Sequence, residues 1–205
     1  MTTRQTLREE LHLPEAPRFE IELPPGWSRR EVSSDTLTEI SAAAKRNMMK
    51  AHQPQMYGAV ERLLHEAFDG MKRAGAFEFF APIEASAEAP SMVASLLARI
   101  RRTQDGQSLD RLVSDLIRVK GAAPLLGDKR TIRYEDIENV RVETETFVNH
   151  SVTYLTPVPG SKRRRALELV ASLVRPVAVG PESEHFIAQK YVMDLCVASL
   201  RWSRG

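Results

Sequence analysis

The sequence predicts an α+β fold, a central, mainly antiparallel sheet flanked by helices. Three observations predict it. Apolar residues recur at helical spacing in two early segments and again in a closing one. From Thr131 to Val174 the chain instead alternates apolar and polar residues with the two-residue period of a strand. At 205 residues, 42% hydrophobic and 27% charged, the chain has the composition of a globular protein near the upper size that one core serves.

Residues 1–17 read as a flexible N-terminal arm, because Pro14 and Pro17 cut short the helical turns that Thr6 to Leu13 would start. Phe19 to Leu23 alternates strictly and reads as a half-buried strand, stopped by Pro24-Pro25-Gly26. Asp35 is a candidate N-cap for a first helix with Leu37, Ile40, Ala44 and Met48 on one face. Gln53-Pro54 opens a second, with the stripe Tyr57, Val60, Leu64, Phe68 and Met71, and Gly75 marks its exit. Ala76 to Ile83 reads as a strand, with Phe77, Phe79 and Ala81 on one face and Phe80 on the other. Glu84 to Pro90 is turn-like. Residues 91–102 fit either a strand or a helix; Pro90 and the preceding strand favour a hairpin partner.

Leu109, Leu112, Val113, Leu116 and Ile117 make a short amphipathic helix starting at Ser108 or Asp110, and Gly121 to Gly127 breaks the chain. Strands follow at Thr131–Tyr134, Asn139–Phe147, Val152–Thr156 and Ala166–Val174, with a turn at Asn149-His150 and a longer connection from Pro157 to Arg165. Ser183 caps a last helix whose face is drawn by Phe186, Ile187, Tyr191, Leu195, Ala198 and Trp202.

Two motifs stand in order along this layout, Pro24-Pro25-Gly26-Trp27 after the first strand and Val152-Thr153-Tyr154-Leu155-Thr156-Pro157-Val158-Pro159-Gly160 in the sheet-rich part. The chain then closes on Ala198-Ser199-Leu200-Arg201-Trp202. In this arrangement residues 19–203 resemble small actinobacterial proteins of the Mog1/PsbP-like fold class, some of them lipoproteins. The resemblance implies a central antiparallel sheet with flanking helices, so that residues 18–205 form a single Mog1/PsbP-like domain. It implies no particular activity, since members of that class range from a binder of a small GTPase to a photosystem-associated subunit. Unlike the lipoprotein relatives, the chain shows no export signal near Met1, and a cytoplasmic location is the expectation.

The sequence holds no catalytic or metal-binding constellation. The five histidines (His12, His52, His65, His150 and His185) form no ligand pair, and the one cysteine, Cys196, lies between Leu195 and Val197 and reads as core packing. No serine has the context of a hydrolase nucleophile, and Gly121 to Gly127 lacks the residues of a phosphate loop. Asp128, Glu135, Asp136 and Glu138 gather without the opposed geometry that acid–base work requires. Met48-Met49 reads as core. No cofactor is expected, and no apolar run is long enough to span a membrane.

The sharpest charge is Lys162-Arg163-Arg164-Arg165, a basic tetrad between two strands. Four adjacent cations are either solvated or matched by an anionic partner, such as a protein with an acidic surface; Arg101-Arg102 adds to them if its strand ends nearby. With 29 basic against 27 acidic residues and no aromatic groups beside the tetrad, specific nucleic-acid recognition is not expected. Trp27 and Trp202 read as packing anchors at the two ends of the domain. The leading expectation is therefore a non-catalytic, cytoplasmic protein-binding or adaptor-like protein. A small-molecule-binding protein or cryptic hydrolase with a pocket between sheet and helices is the alternative, and a homodimer or structural homo-oligomer a third.

Overall fold

The computed structural model describes residues 18–52, 54–82, 93–103, 108–142 and 145–203. The N-terminal arm, Gln53 and the connection Glu84 to Pro90 lie outside them. In chain order the elements are β1 (Phe19–Glu20), β2 (Trp27–Glu31), α1 (Ser34–Lys50), a short 3-10 turn (Pro54–Met56) and α2 (Tyr57–Arg73). Next come β3 (Ala76–Pro82), β4 (Val93–Arg102), α3 (Leu109–Lys120), β5 (Ala123–Leu125) and β6 (Asp128–Val142). The chain ends with β7 (Glu145–Pro157), β8 (Arg165–Pro176), α4 (Glu184–Ala198) and β9 (Arg201–Trp202).

The fold is α+β: seven strands in the order β2-β3-β4-β8-β7-β6-β5 make one sheet, every neighbouring pair antiparallel, with helices on both faces. The segment compatible with strand or helix is the strand β4, in unbroken register with β8 from Val93↔Val174 to Arg102↔Arg165. On one sheet face Phe80, Leu96, Ala98, Val152, Tyr154, Leu167, Leu169 and Leu173 pack against Phe186, Met193, Cys196 and Val197 of α4 to form the main core. The other face carries two separate layers. Helices α1 and α2 sit over β3 and β4 through Leu37, Phe68 and Phe79. Helix α3 sits over β6 and β7 through Leu109, Ile132, Tyr134 and Leu155. Where these layers part, Glu168 of β8 is buried and accepts Arg99 through both oxygens, at 2.9 and 3.0 Å, and Arg101 at 3.3 Å. Arg99 also donates to the carbonyl of Ala74 at the exit of α2.

Several expectations are corrected by this geometry. Of Phe19 to Leu23, only Phe19 and Glu20 are strand; they pair with Arg201 and Trp202 in a separate two-stranded ribbon that joins the two ends of the domain. Trp27 begins strand β2, which sequence reasoning missed because Ser28-Arg29-Arg30-Glu31 has no apolar alternation on an edge strand. Ser33, not Asp35, caps α1, its Oγ accepting the Thr36 amide at 3.2 Å; Asp35 sits in the first turn, where the helix dipole favours a carboxylate. A register shift between Ala76 and Glu78 takes Phe77 off the Phe79 face and sets it against Phe19 and the main core.

Asn149-His150 is not a turn. Both residues lie mid-strand in β7, opposite Glu138 and Ile137 of β6, and β6 and β7 run to Val142↔Glu145. Asn149 resembles a turn residue by type alone; here its amide bonds to Glu138 and Ser151. The stripe Ile187, Tyr191 and Leu195 of α4 is solvent-facing, and the opposite stripe of Phe186, Met193, Cys196 and Val197 is buried. That helix is apolar on nearly every side, so periodicity has no contrast with which to choose a face.

Replacing Glu168 by Gln leaves two arginines facing a buried position without a counter-charge. Because both are about a third exposed, the expected loss is about 2 kcal/mol, below the full cost of breaking a buried pair. Urea unfolding of Glu168→Gln measures it; an unchanged midpoint overturns the role assigned to this carboxylate.

Candidate functional site

Helices α1 and α2 do not fill the space between themselves and the sheet. The large side chains that span the gap are Phe68 and Phe79, packed edge to face at 5.6 Å, with Leu64, Met71, Ile40 and Leu97 around them. Beside them the sheet floor is made of small residues. Ser28 pairs with Ala81, Ser95 with Ser172, and Ser172 with Ser151, so a row of small side chains crosses the sheet on the face below α1 and α2. The helices answer with Ala43 and Ala67. The result is a cavity of about 490 Å³, partly open, with a mainly apolar wall.

Few polar groups enter it. The hydroxyls of Ser95 and Ser172 reach the cavity floor and have no hydrogen-bond partner among the described residues. At the end next to β2, Arg30 donates from Nε to Ser28 Oγ at 3.2 Å and pairs through Nη1 with Glu39 of α1 at 3.2 Å. The same residues border an open groove outside, so this end faces solvent. Among the described residues, Arg30 and Glu39 are the only charged ones in the lining.

A second cavity, of about 410 Å³, lies where the β5–β6 turn, the end of β7 and the C-terminal end of α4 meet. Leu125, Val197, Leu200 and Trp202 form its apolar part, and Lys129, Arg130 and Arg163 stand on its rim. Arg130 is paired with Asp128, and Arg163 with Asp110 of α3 at 2.5 Å.

The basic tetrad thus contributes one residue, Arg163, to a concave site. Lys162, Arg163 and Arg164 are exposed, whereas Arg165 is half-buried at the start of β8 opposite Arg102, so the Arg101-Arg102 strand end does lie beside the tetrad. Lys162 and Arg163 both take left-handed backbone conformations, with φ of 50° and 56°. That turn aims backbone carbonyls at their neighbours: Arg163 accepts the Leu109 amide at the start of α3 at 2.9 Å, and Arg164 accepts the Thr103 amide at 3.1 Å. Trp27 and Trp202 are both partly buried and pack against the main core.

The other side chains singled out are accounted for by partners. Asp128, Glu135, Asp136 and Glu138 are spread along β6, held in turn by Arg130, by Arg133 and Lys190, by Lys120, and by Asn149. Under α4, Tyr154 donates to Asp194 at 2.6 Å and Arg133 donates to the same oxygen at 2.8 Å. Burial opposes the charge of Arg133, but Asp194 and Glu135 outweigh it and hold its pKa above the ordinary value. Burial and the Asp194 charge push the Tyr154 phenol up. Glu135 is held below its usual range by Arg133 and Lys190 despite burial. None of these shifts brings a group toward neutrality, where acid–base chemistry would use it. Cys196 is buried, and burial raises its thiol pKa, the reverse of an activated nucleophile. Met48 is half-buried and Met49 exposed, so only the first of that pair is near the core. No group of three His, Cys, Asp or Glu among the described residues is placed to hold a metal ion, and no helix among them is long and apolar enough to cross a membrane.

His150 was missed, since a turn residue is not expected to be buried. Its ring lies under Phe186 at 4.6 Å, Nε2 accepts from Arg175 at 3.1 Å, and Nδ1 is buried without a partner.

No protein-family model matches the chain, and no curated protein compared with it does. Among solved structures it is similar to a protein from Bacteroides thetaiotaomicron, with 9% identity and a TM-score of 0.42. The match covers 91% of this chain and 45% of that one, so this chain spans less than half the length of the protein it matches. A distant bacterial protein of related structure exists; likeness at this level carries no function.

Burial, with Arg175 and Lys190 behind it, lowers the His150 pKa from 6.5, against a smaller opposing effect of Glu135. The unfolded chain therefore binds this proton more readily than the folded one. Stability is full above pH 6.5 and falls between there and the lowered folded value. Chemical denaturation from pH 8 to 5, compared with His150→Gln, is expected to show a loss that the variant lacks. Cys196 is expected to react with a thiol reagent only at the rate of unfolding; fast modification of the native protein overturns its burial.

Proposed function

We propose that the chain is a non-catalytic binding protein for an apolar small molecule, held between the α1–α2 layer and the sheet. One observation carries this reading: a cavity of about 490 Å³ whose wall is mainly apolar and whose floor presents two serines with no side-chain partner among the described residues. Concave, mostly apolar sites with a few placed polar groups are the usual form of small-molecule sites. A hydrolytic role for the same cavity has no support, since no histidine or cysteine among the described residues lines it. A cytoplasmic location and membership of the Mog1/PsbP-like class among actinobacterial proteins go with this proposal; the Pro24-Pro25-Gly26-Trp27 and Val158-Pro159-Gly160 motifs and a sheet with helices on both faces support the class.

The test fills the cavity from its floor. Ser172→Leu and Ser95→Leu add apolar volume to open space and remove hydroxyls that no described residue partners, so neither is expected to lower the melting temperature. Each is expected to weaken binding of a neutral fluorescent probe, N-phenyl-1-naphthylamine, by at least about tenfold. Unchanged probe binding in both variants, or none in the parent, removes the proposal.

A second reading, docking of a protein with an acidic surface, is favoured by a separate observation. Arg163 of the tetrad shares the rim of the 410 Å³ cavity with Lys129 and Arg130, around an apolar floor that includes Trp202. An acidic peptide bearing an apolar anchor fits that chemistry. Its binding at low salt, followed by calorimetry, is expected to fall at least about fivefold on replacing Lys129 and Arg163 by Gln; equal affinity rejects the reading.

A further inference from the structure

We propose that the ligand of the α1–α2 cavity is an amphipathic monocarboxylate, with its apolar body against Leu64, Phe68, Met71 and Phe79 and its carboxylate on Arg30. This inference rests on the reading of that cavity as a small-molecule site and adds the ligand's class and direction.

Among the described residues the lining holds one cation and one anion, and they are unequally exposed. The Arg30 side chain is 25% exposed and that of Glu39 is 68% exposed. The positive partner is therefore the better shielded of the two, and the negative partner the more solvent-exposed. Guanidinium has five donors in a planar fork, of which Nε is spent on Ser28 and Nη1 faces Glu39; Nη2 has no partner among the described residues. A single-point pair with an exposed carboxylate contributes little, so a ligand carboxylate arriving from the cavity side displaces Glu39 at small cost. It gains a bidentate contact in surroundings of lower dielectric than the surface. Glu31 and Asp35 line the same open groove as exposed residues, where water and salt screen them.

The rest of the cavity matches the other half of such a molecule. Beyond Arg30 the wall is aliphatic and aromatic, and an apolar chain gains roughly 0.8 kcal/mol for each methylene it buries there. Ser95 and Ser172 face each other across β4 and β8, so their hydroxyls tolerate a polar atom along the body without demanding a charge. A second carboxylate would meet no second cation among the described lining residues, which favours a mono- over a dicarboxylate.

Displacement of N-phenyl-1-naphthylamine by decanoate and by decanol separates the terms. Decanoate is expected to bind at least about tenfold more tightly than decanol to the parent protein. Arg30→Gln is expected to abolish that preference while leaving decanol unchanged. Glu39→Gln, which frees the guanidinium, is expected to tighten decanoate several-fold. The inference is overturned if the two compounds bind the parent equally, or if the preference survives in Arg30→Gln. If the probe binds and Ser172→Leu expels it, the cavity reading stands whatever the carboxylate does; if neither compound nor probe enters, both fall together.

Discussion

The structure depends on the two unlike faces of β8. This strand is central, paired on one side with β4 and on the other with β7, so both its faces must be covered. One face presents Leu167, Leu169, Ala171 and Leu173, all at most 1% exposed, and a single helix, α4, closes over it. The other presents Ala166, Glu168, Val170 and Ser172, a mixture that no single apolar helix face complements. Burying Glu168 under such a helix would cost several kcal/mol without its arginines. The face is instead divided: α3 covers the end near Ala166, α1 and α2 cover the side of β4, and Arg99 and Arg101 fill the seam through Glu168. The cavity follows from the same division. Where the row of small residues crosses the sheet, Ala43 of α1 and Ala67 of α2 are among the helix residues above it.

Charge in this protein is mainly structural, including the part that looks most like a recognition signal. The tetrad Lys162 to Arg165 stands out in the sequence because four cations adjoin. In the fold its backbone matters as much as its side chains, because two left-handed residues turn the Arg163 and Arg164 carbonyls toward α3 and the end of β4. Such a conformation costs about a kcal/mol or more per non-glycine residue and persists when the surroundings over-determine it. The Leu109 amide and the Asp110 carboxylate, both gripped by Arg163, supply that surrounding. What remains free for an outside partner is the exposed edge of the turn, beside the second cavity.

Much of the fold was legible in the sequence because it rests on strong periodic contrast. The stripe with Leu64, Phe68 and Met71 packs as its spacing implies, and Leu167 to Leu173 fills the core as its alternation implies. Reading failed where contrast was absent or residue type misled. Helix α4 is apolar on nearly every side, so spacing assigns Ile187, Tyr191 and Leu195 to the buried face together with Phe186, which alone of the four is buried. Strand β2 is polar and held by its neighbour β3 rather than by its own pattern. Asn149 and His150 carry turn-like side chains in mid-strand, where pairing on both sides overrides local preference. The cavity had no sequence signal, since Ser28, Ala81, Ser95 and Ser172 are unremarkable singly and meet only through the registers of four strands. A partial clue was present in Ser172, a small polar residue within an otherwise apolar central strand.

That clue bears on why the cavity exists at all. A site that served packing alone would be filled by valine or leucine on β8, since both suit a central strand and each would bury further apolar area. Serine at 95 and 172 forgoes that burial and leaves two hydroxyls with no partner among the described residues. Natural cores admit few voids larger than a water molecule, because every unfilled volume forfeits dispersion contacts. Two opposed serines beneath two alanine-bearing helices lose stability at four positions in one place, while the opposite face of the same strands packs without comparable loss. On the proposed reading an occupant offsets this looseness: burying a ligand's apolar surface would restore the contacts that the small residues give up.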